Sequence, residues 1–539
     1  MQERYMPIGI QDFETMRTSS YAYVDKTQFI SKLEIVGRAY FLTRPRRFGK
    51  SLFLSTLKCY FEGKKELFKG LAIEKIKEER GEEWQSYPVL KLDLNAQMYE
   101  KEEDLVNILS EHIDKWKKNY DVQFEAADIY SAFAKIIRLL YEKFNKKVVI
   151  LIDEYDKPLI ATLEDEKLQE RYRSMLKAFY GVIKSLNGCI HLSFLTGVTK
   201  FSKVSIFSDL NNLDDISFDR EYSSICGITE EELKTNFSSE VQALAKEYNK
   251  TCDEMMCVLQ KRYDGYRFSE KEERIYNPFS LLNVFAKNKL GDYWFATGTP
   301  TFLVHLLEQK YFELPDLEGN IVTAERDLDT YRVGCGNLIP LLFQTGYLTV
   351  KDYREDNISY IGQYVLGYPN DEVKYAFLYC LMQVYTSAST SISGEFKVNK
   401  FESAIRAGDI DGVLTLTKAL MASIPYDSLP EDKLFLREQN YQTAIYLIFK
   451  LMGEYVRTEV HSSVGRSDVE VETQDAIYIF EFKVGGKPIN AITQIKESGY
   501  AEKYSAVEKS IFLIGVSISR NKRTLGKWVI EKSLSKLRS

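Results

Sequence analysis

With 539 residues, of which 45% are apolar, the chain is long enough for two to four domains, each with its own core. Seven scattered cysteines without a CxxC pair, and only four histidines, argue against a disulfide framework and a structural zinc site. A formal charge of −6 argues against a protein that coats nucleic acid non-specifically. No apolar run reaches the length of a membrane helix, and the start MQERYMPIGIQDF has no basic-then-apolar order, so a cytoplasmic protein is expected.

The first two hundred residues alternate short β-branched runs with amphipathic helical patterns, the signature of a parallel sheet flanked by helices. Strands are expected over Arg38 to Thr43, Val89 to Leu94, Lys147 to Asp153 and His191 to Gly197. The helices between and around them are expected over Lys50 to Phe61, Asp104 to Asn119, Ala126 to Asn145 and Glu166 to Lys184. From about Asp215 to Pro430 helical segments dominate, punctuated by YDGYRF (Tyr263 to Phe268) and YWFATGTP (Tyr293 to Pro300). After SIPYDSLPEDK come a helix, Asn440 to Met452, and strands at Tyr455 to Val460, Ser467 to Thr473 and Ala476 to Lys483. A helix from Asn490 to about Tyr504 and a strand, Ser510 to Ser517, complete this part. The expected division is 1–215, 216–432 and 433–539. The last hundred residues hold 15 Lys and Arg against 11 Asp and Glu, a weak local excess of positive charge.

RPRRFGKS (Arg44 to Ser51) lies between a strand and a helix, the setting in which Gly-Lys-Ser holds phosphate. Backbone N–H groups and the helix N-terminus would surround the phosphates, Lys50 would reach the β- and γ-phosphates, and Ser51 would hold Mg²⁺. Arg44 stands where the first glycine of GxxxxGK[ST] is usual, and an arginine resists the positive φ that glycine permits. The expected nucleotide contacts are Arg44, Arg47, Phe48, Gly49, Lys50, Ser51 and Leu52. A basic turn capping a helix is the plain alternative. Against it stands VVILIDEYDKP (Val148 to Pro158), a buried strand that delivers two acids to its C-terminal end, where ligands of open α/β sheets bind. Asp153 would hold Mg²⁺ and Glu154 would orient the attacking water. Thr196, ending HLSFLTGVTKF, is expected to sense the γ-phosphate. Lys200 and Lys203 after it read as solvated lysines.

In the C-terminal part, Asp468 begins one strand, and Glu481 and Lys483 end the next. A hairpin turning at Gln474 and Asp475 would bring the two carboxylates together, with Glu481 and Lys483 on one face. Two oxygen ligands beside a cation suit Mg²⁺ or Mn²⁺, Lys483 steadying a metal-bound hydroxide or the transition state. A solvent-facing ladder of charges across a hairpin is the competing reading. The apolar run Ile477 to Phe480 argues against it.

These segments, with YVDKT (Tyr23 to Thr27), LTGVTKFS, YNPFS (Tyr276 to Ser280), LFQTGYLT (Leu342 to Thr349), GYPN (Gly367 to Asn370), GRSD and IFEFK, resemble predicted AAA-type ATPases fused to a PD-(D/E)XK nuclease domain. The resemblance spans nearly the whole chain. It implies an α/β fold: a P-loop NTPase domain with a parallel sheet, a helical middle region, and a restriction-endonuclease-like C-terminal domain. It further implies ATP binding and hydrolysis near Lys50, Ser51, Asp153 and Glu154. DNA cleavage with Mg²⁺ or Mn²⁺ is implied at Asp468, Glu481 and Lys483, with Phe482 counted among the metal contacts. Gln494 on the following helix, and less so Glu459, are further candidates, and Ser467 replaces the proline of the motif. The expected function is ATP hydrolysis joined to cleavage of foreign or mobile DNA. The alternative is a nucleotide-operated switch, similar to STAND-type signalling ATPases, whose nuclease fold binds nucleic acid or a partner without cutting. No membrane partner is expected, and a homo-oligomer is left open.

Overall fold

A computed structural model describes the chain outside residues 1–3, 35–37, 96–97, 164, 201–211, 271–272, 295–316, 329–337, 356–361, 387–399, 401–402, 405–406, 423–455, 459–460, 463–464, 467–468, 473–475, 505–508, 520–523 and 534–539. The backbone forms two compact units, one of Met1–Gly298 with Leu317–Val373 and one that includes Lys374–Ser539.

Five strands make the sheet of the first unit: β1 (Arg38–Thr43), β2 (Val89–Asp93), β3 (Val148–Asp153), β4 (Ile190–Gly197) and β5 (Leu213–Asp215). Their order is β2-β3-β4-β1-β5, and every pair is parallel. All residues of β3 and β4 are buried, so the unbroken apolar run of β3 reflects helices covering both faces. One covering helix, Ile129–Phe144, starts with a capping box between Asp128 and Ser131 and buries Ala132, Phe133, Ile136, Ile137 and Leu140, the three-and-four spacing of a single stripe. It begins three residues later than expected because Asp128, whose side chain accepts the Ser131 N–H, sets the first turn. Insertion of β4 between β1 and β3 brings the ends of the phosphate-loop strand and the acid-bearing strand to one edge, with the end of β4 between them.

The middle region is helical, as expected, over Glu230–Asn236, Ser238–Glu247, Cys252–Tyr263 and Pro278–Lys287. These helices share a core that includes Leu233, Phe237, Leu244, Leu259, Tyr263 and Leu281. It also holds an antiparallel sheet absent from the sequence reading: β6 (Glu318–Ala324), β7 (Thr349–Glu355) and β8 (Gly362–Gly367), in the order β6-β8-β7. β7 buries only Thr349 and Val350, and β8 buries its last four residues in a row, so neither strand shows the alternation of a half-buried strand.

In the second unit the main sheet is made of β9 (Val456–Thr458), β10 (Val469–Glu472), β11 (Ala476–Val484), β12 (Ser510–Ser519) and β13 (Thr524–Ser533), paired in that order. β11 and β12 are parallel and the other pairs antiparallel. The helix Pro488–Glu497 joins the parallel pair and packs Ile492 and Ile495 against Ile477, Ile479 and Leu513. This helix is shorter than expected: Ser498 caps it, Gly499 takes a φ of 59°, and Glu502–Tyr504 is a separate 3-10 turn. β13 was not foreseen. The expected helix Asn440 to Met452 and the turn at Gln474 and Asp475 lie outside the described residues.

Candidate functional site

The loop between β1 and the helix Lys50–Phe61 takes its bend from Arg47, at φ 65°, and Gly49, at φ 96°. Arg44 therefore carries no positive-φ burden. Its side chain also departs from the expected nucleotide contact. It is 1% exposed, donates to the carbonyls of Thr43 (2.9 Å), Ser217 (2.7 Å) and Tyr222 (2.9 Å), and stacks 4.1 Å over Phe268. Burial lowers its pKa to about 10. Guanidinium donors spent on carbonyls make Arg44 a strut beneath the loop.

Other parts of the motif set brace the same loop. Phe48 packs edge-on against Tyr266 and Phe268, and its carbonyl accepts the Gly227 N–H at 3.1 Å. The Trp294 indole donates to the Arg46 carbonyl at 3.0 Å. Gly346, at φ 90°, lies so close to Pro45 that a Cβ there would be 2.7 Å from the proline ring. YDGYRF, the start of YWFATGTP and LFQTGYLT thus meet at RPRRFGKS.

A cavity of about 490 Å³ opens over the loop. Arg47, Phe48, Gly49, Lys50, Ser51 and Leu52 line it together with Glu154, so seven of the expected residues meet in one place. The Lys50 ammonium donates to the carbonyls of Arg44 (3.0 Å) and Pro45 (3.1 Å). Arg46 and Lys157 add positive charge to the lining, and Ile8, Ile10, Phe279 and Leu282 give it an apolar side. Arg46 sits within RPRRFGKS, Lys157 within VVILIDEYDKP and Phe279 within YNPFS, but the motifs give none of the three a role of its own, and Ile8, Ile10 and Leu282 carry no local pattern. Arg47 lies 4.0 Å over the Phe279 ring.

Glu154 holds a φ of 54°, a strained value for a non-glycine residue. Burial, with Asp156 and Asp153 nearby, raises its pKa against the lowering effect of Lys50. Asp153 is 2% exposed, and its Oδ1 accepts the Thr196 hydroxyl at 2.7 Å. Neither is among the lining residues of the cavity. Thr196, expected to face the γ-phosphate, has its proton committed to Asp153. Asp156 was overlooked. It is fully buried and accepts the N–H groups of Val198 (3.0 Å) and Thr199 (2.6 Å) and the Thr199 hydroxyl (2.7 Å), and burial raises its pKa. Lys200, expected to be solvated, is 7% exposed and pairs with Asp215 at 3.0 Å; Lys203 lies outside the described residues.

In the second unit Glu481 is 3% exposed within β11, three residues before its end, and the Lys483 ammonium is 3.2 Å from its Oε1. Both side chains project to one face of the strand. Phe482 between them pairs with Val516 and stacks on Phe480. Val469, which follows Asp468 in sequence, pairs with Phe480, which precedes Glu481; Asp468, Ser467 and Glu459 lie outside the described residues. Gln494 is half-buried on the helix Pro488–Glu497. A second buried acid, Glu470, went unnoticed: it is 1% exposed and bonds Lys503 at 2.7 Å and the Tyr504 hydroxyl. Among the described residues no three His, Cys, Asp or Glu side chains form a metal-holding group, and no helix is long and apolar enough to cross a membrane.

The sequence model of the predicted AAA-ATPase family, AAA-ATPase_like, matches residues 7–207, and that of a PD-(D/E)XK nuclease superfamily family matches residues 436–528. A protein of Azotobacter chroococcum mcd 1, described as an uncharacterized protein in the vnfD 5′ region, is 36% identical over 537 residues, covering 98% of this chain and 99% of that protein. The chain belongs to this family of predicted AAA-ATPases with a PD-(D/E)XK nuclease-superfamily domain. The matched regions fall on the parallel-sheet domain and on the sheet that carries Glu481 and Lys483.

Proposed function

We propose that the chain binds and hydrolyses ATP in the cavity over RPRRFGKS and cuts DNA at a metal site built on Asp468, Glu481 and Lys483. The observation that carries the first half is that Lys50, Ser51 and Glu154 line one cavity, although the sequence separates them by a hundred residues. Arg46 and Arg47 add charge opposite the phosphates, and the base lies against Ile8, Ile10, Phe279 and Leu282. The two carbonyls that now hold the Lys50 ammonium are neutral acceptors, weaker than a phosphate oxygen, so Lys50 exchanges them for the nucleotide.

The oxygen donors of Ser51 and Asp153 suit a Mg²⁺ ion, and the 2.7 Å bond from Thr196 fixes the Asp153 carboxylate in orientation. Bound there, Mg²⁺ neutralises phosphate charge. Glu154, with its raised pKa, accepts the proton of the attacking water. At the nuclease site, the donors suited to a hard cation are the carboxylates of Asp468 and Glu481, with Phe482 on the strand between the acid and the lysine. Mg²⁺ or Mn²⁺ there supplies Lewis acidity. Lys483 stabilises charge on the cleaved phosphodiester, and Gln494 assists from the neighbouring helix. We further propose the division 1–215, 216–432 and 433–539, foreign or mobile DNA as the target, and a cytoplasmic site of action.

Two experiments test this. Lys50→Ala should abolish ATP binding, while Glu154→Gln should bind ATP and fail to hydrolyse it; unchanged affinity in Lys50→Ala would sink the assignment. Wild type and Glu481→Ala are then compared on the same DNA with Mn²⁺, at low salt, with and without ATP. Equal cleavage by both rejects the nuclease site, and cleavage by neither under any nucleotide condition favours a non-cutting switch.

A further inference from the structure

Parts of several motifs point away from both sites. The middle of YDGYRF, the end of GYPN and the start of β7 meet instead around a second cavity, of about 360 Å³, in the first unit. Its walls come from Lys261, Asp264, Arg267, Arg274, Lys351 and Pro369. The backbone there is tightly fixed. The Asn370 side chain donates to the Asp264 carbonyl at 2.9 Å. Gly265, at φ 102°, approaches Pro369 so closely that a Cβ would be 2.2 Å from its carbonyl oxygen. The Arg267 guanidinium donates to the carbonyls of Lys351 (3.0 Å) and Glu270 (2.8 Å), clamping β7 to the YDGYRF turn.

Four cations and one carboxyl group, Asp264, therefore line the cavity, Lys261 also pairing with Asp371 at 3.6 Å. Arg274 makes no hydrogen bond or ion pair among the described residues. Lys351 is exposed as a residue, and its ammonium donates to the Pro369 carbonyl at 3.2 Å. There, burial and the neighbouring Arg274 lower its pKa to about 8. Asp264 is 2% exposed, and its Oδ1 has no hydrogen-bond partner. Burial raises its pKa to about 6, and an anion beside it would raise it further, so that it meets a bound phosphoryl oxygen as a donor.

We propose that this cavity is a binding site for a small phosphorylated ligand, held by Arg274, Lys351 and Lys261 and contacted from within by Asp264. A duplex is disfavoured as the occupant, because its phosphates lie along a convex rod that would touch the rim lysines and not a carboxyl group this deeply buried. The site is distinct from the loop cavity, with which it shares no lining residue.

Cys257 supplies the test, because it lines the cavity and is exposed, while Cys252 on the same helix is exposed and does not line it. Full-length protein is alkylated with iodoacetamide at rising pyrophosphate, and each cysteine is followed by mass spectrometry. At about ten times the dissociation constant, Cys257 should react about tenfold more slowly, since protection follows occupancy, while Cys252 is unaffected. Protection should persist in Lys50→Ala and vanish in the Arg274→Ala, Lys351→Ala double variant; if that variant melts early, Lys261→Glu on the exposed helix face serves instead. No protection in wild type, equal protection in the charge variants, loss of protection in Lys50→Ala, or protection by duplex DNA and not by pyrophosphate would each overturn the proposal.

Discussion

Replacing Thr196 by valine tests whether β4 holds the Asp153 carboxylate in place. The Thr196 hydroxyl donates to Asp153 Oδ1 at 2.7 Å, and Thr196 is fully buried, so water cannot replace the lost donor. Valine matches threonine in shape and suits a strand, so neither a cavity nor a propensity change masks the effect. A hydrogen bond to a charged group contributes roughly 1.5–3 kcal/mol, and the acceptor left behind keeps its desolvation cost. At roughly 2–4 °C per kcal/mol, the scale of a domain of about 200 residues, the melting temperature without nucleotide should fall by about 3–12 °C. Thr196→Ser keeps the hydroxyl and should lose about 1 kcal/mol or less, through one methyl group. Thermal denaturation of the three proteins, followed by circular dichroism, supplies the comparison, and ATPase rates are read on the same samples. Hydrolysis should fall in Thr196→Val more than ATP affinity does, because the carboxylate that suits Mg²⁺ loses its orientation. Valine and serine variants that melt together with wild type would refute the reasoning, since the hydroxyl would then hold nothing.

Gly346→Ala should cost at least about 1 kcal/mol from the positive φ alone, and the 2.7 Å approach to Pro45 should carry the damage to the phosphate loop, read as a rise in the ATP dissociation constant. Asp264 has a folded pKa raised to about 6 from 3.8, so the folded state binds the extra proton. That contribution to stability is present below pH 4 and is lost as pH rises through 6, amounting to about 3 kcal/mol at most; Asp264→Asn should flatten the wild-type decline in melting temperature over that window, and an unchanged slope would contradict it. Glu481→Ala should remove divalent-metal binding and DNA cleavage together, whereas Lys483→Ala should spare metal binding and lose the chemistry, measured by metal titration and nicking on one preparation. A fragment beginning at Lys433 should unfold in a single cooperative transition, and a featureless melt would count against that boundary.

The sequence by itself determined the parts whose signal is local. The unbroken apolar run of β3 could only be a strand covered on both faces, and its two acids had to emerge at its end. Gly49, Lys50 and Ser51 likewise marked a turn between a strand and a helix, because the strand–turn–helix context is written in neighbouring residues. Tertiary structure alone decided which side chains turn toward the ligand and which turn inward. Arg44 reads as a loop cation, yet it lies beneath the loop because Ser217 and Tyr222, more than 170 residues away, present carbonyls to it. Thr196 reads as a phosphate sensor, yet the β3–β4 neighbourhood gives its proton to Asp153. Ile8 and Leu282, far apart in sequence, join one cavity, and Asp264 and Lys351 share another. Contacts at such separations leave no period or spacing in the chain; they exist only once the elements have packed, and packing chooses among side-chain directions that the sequence leaves equal.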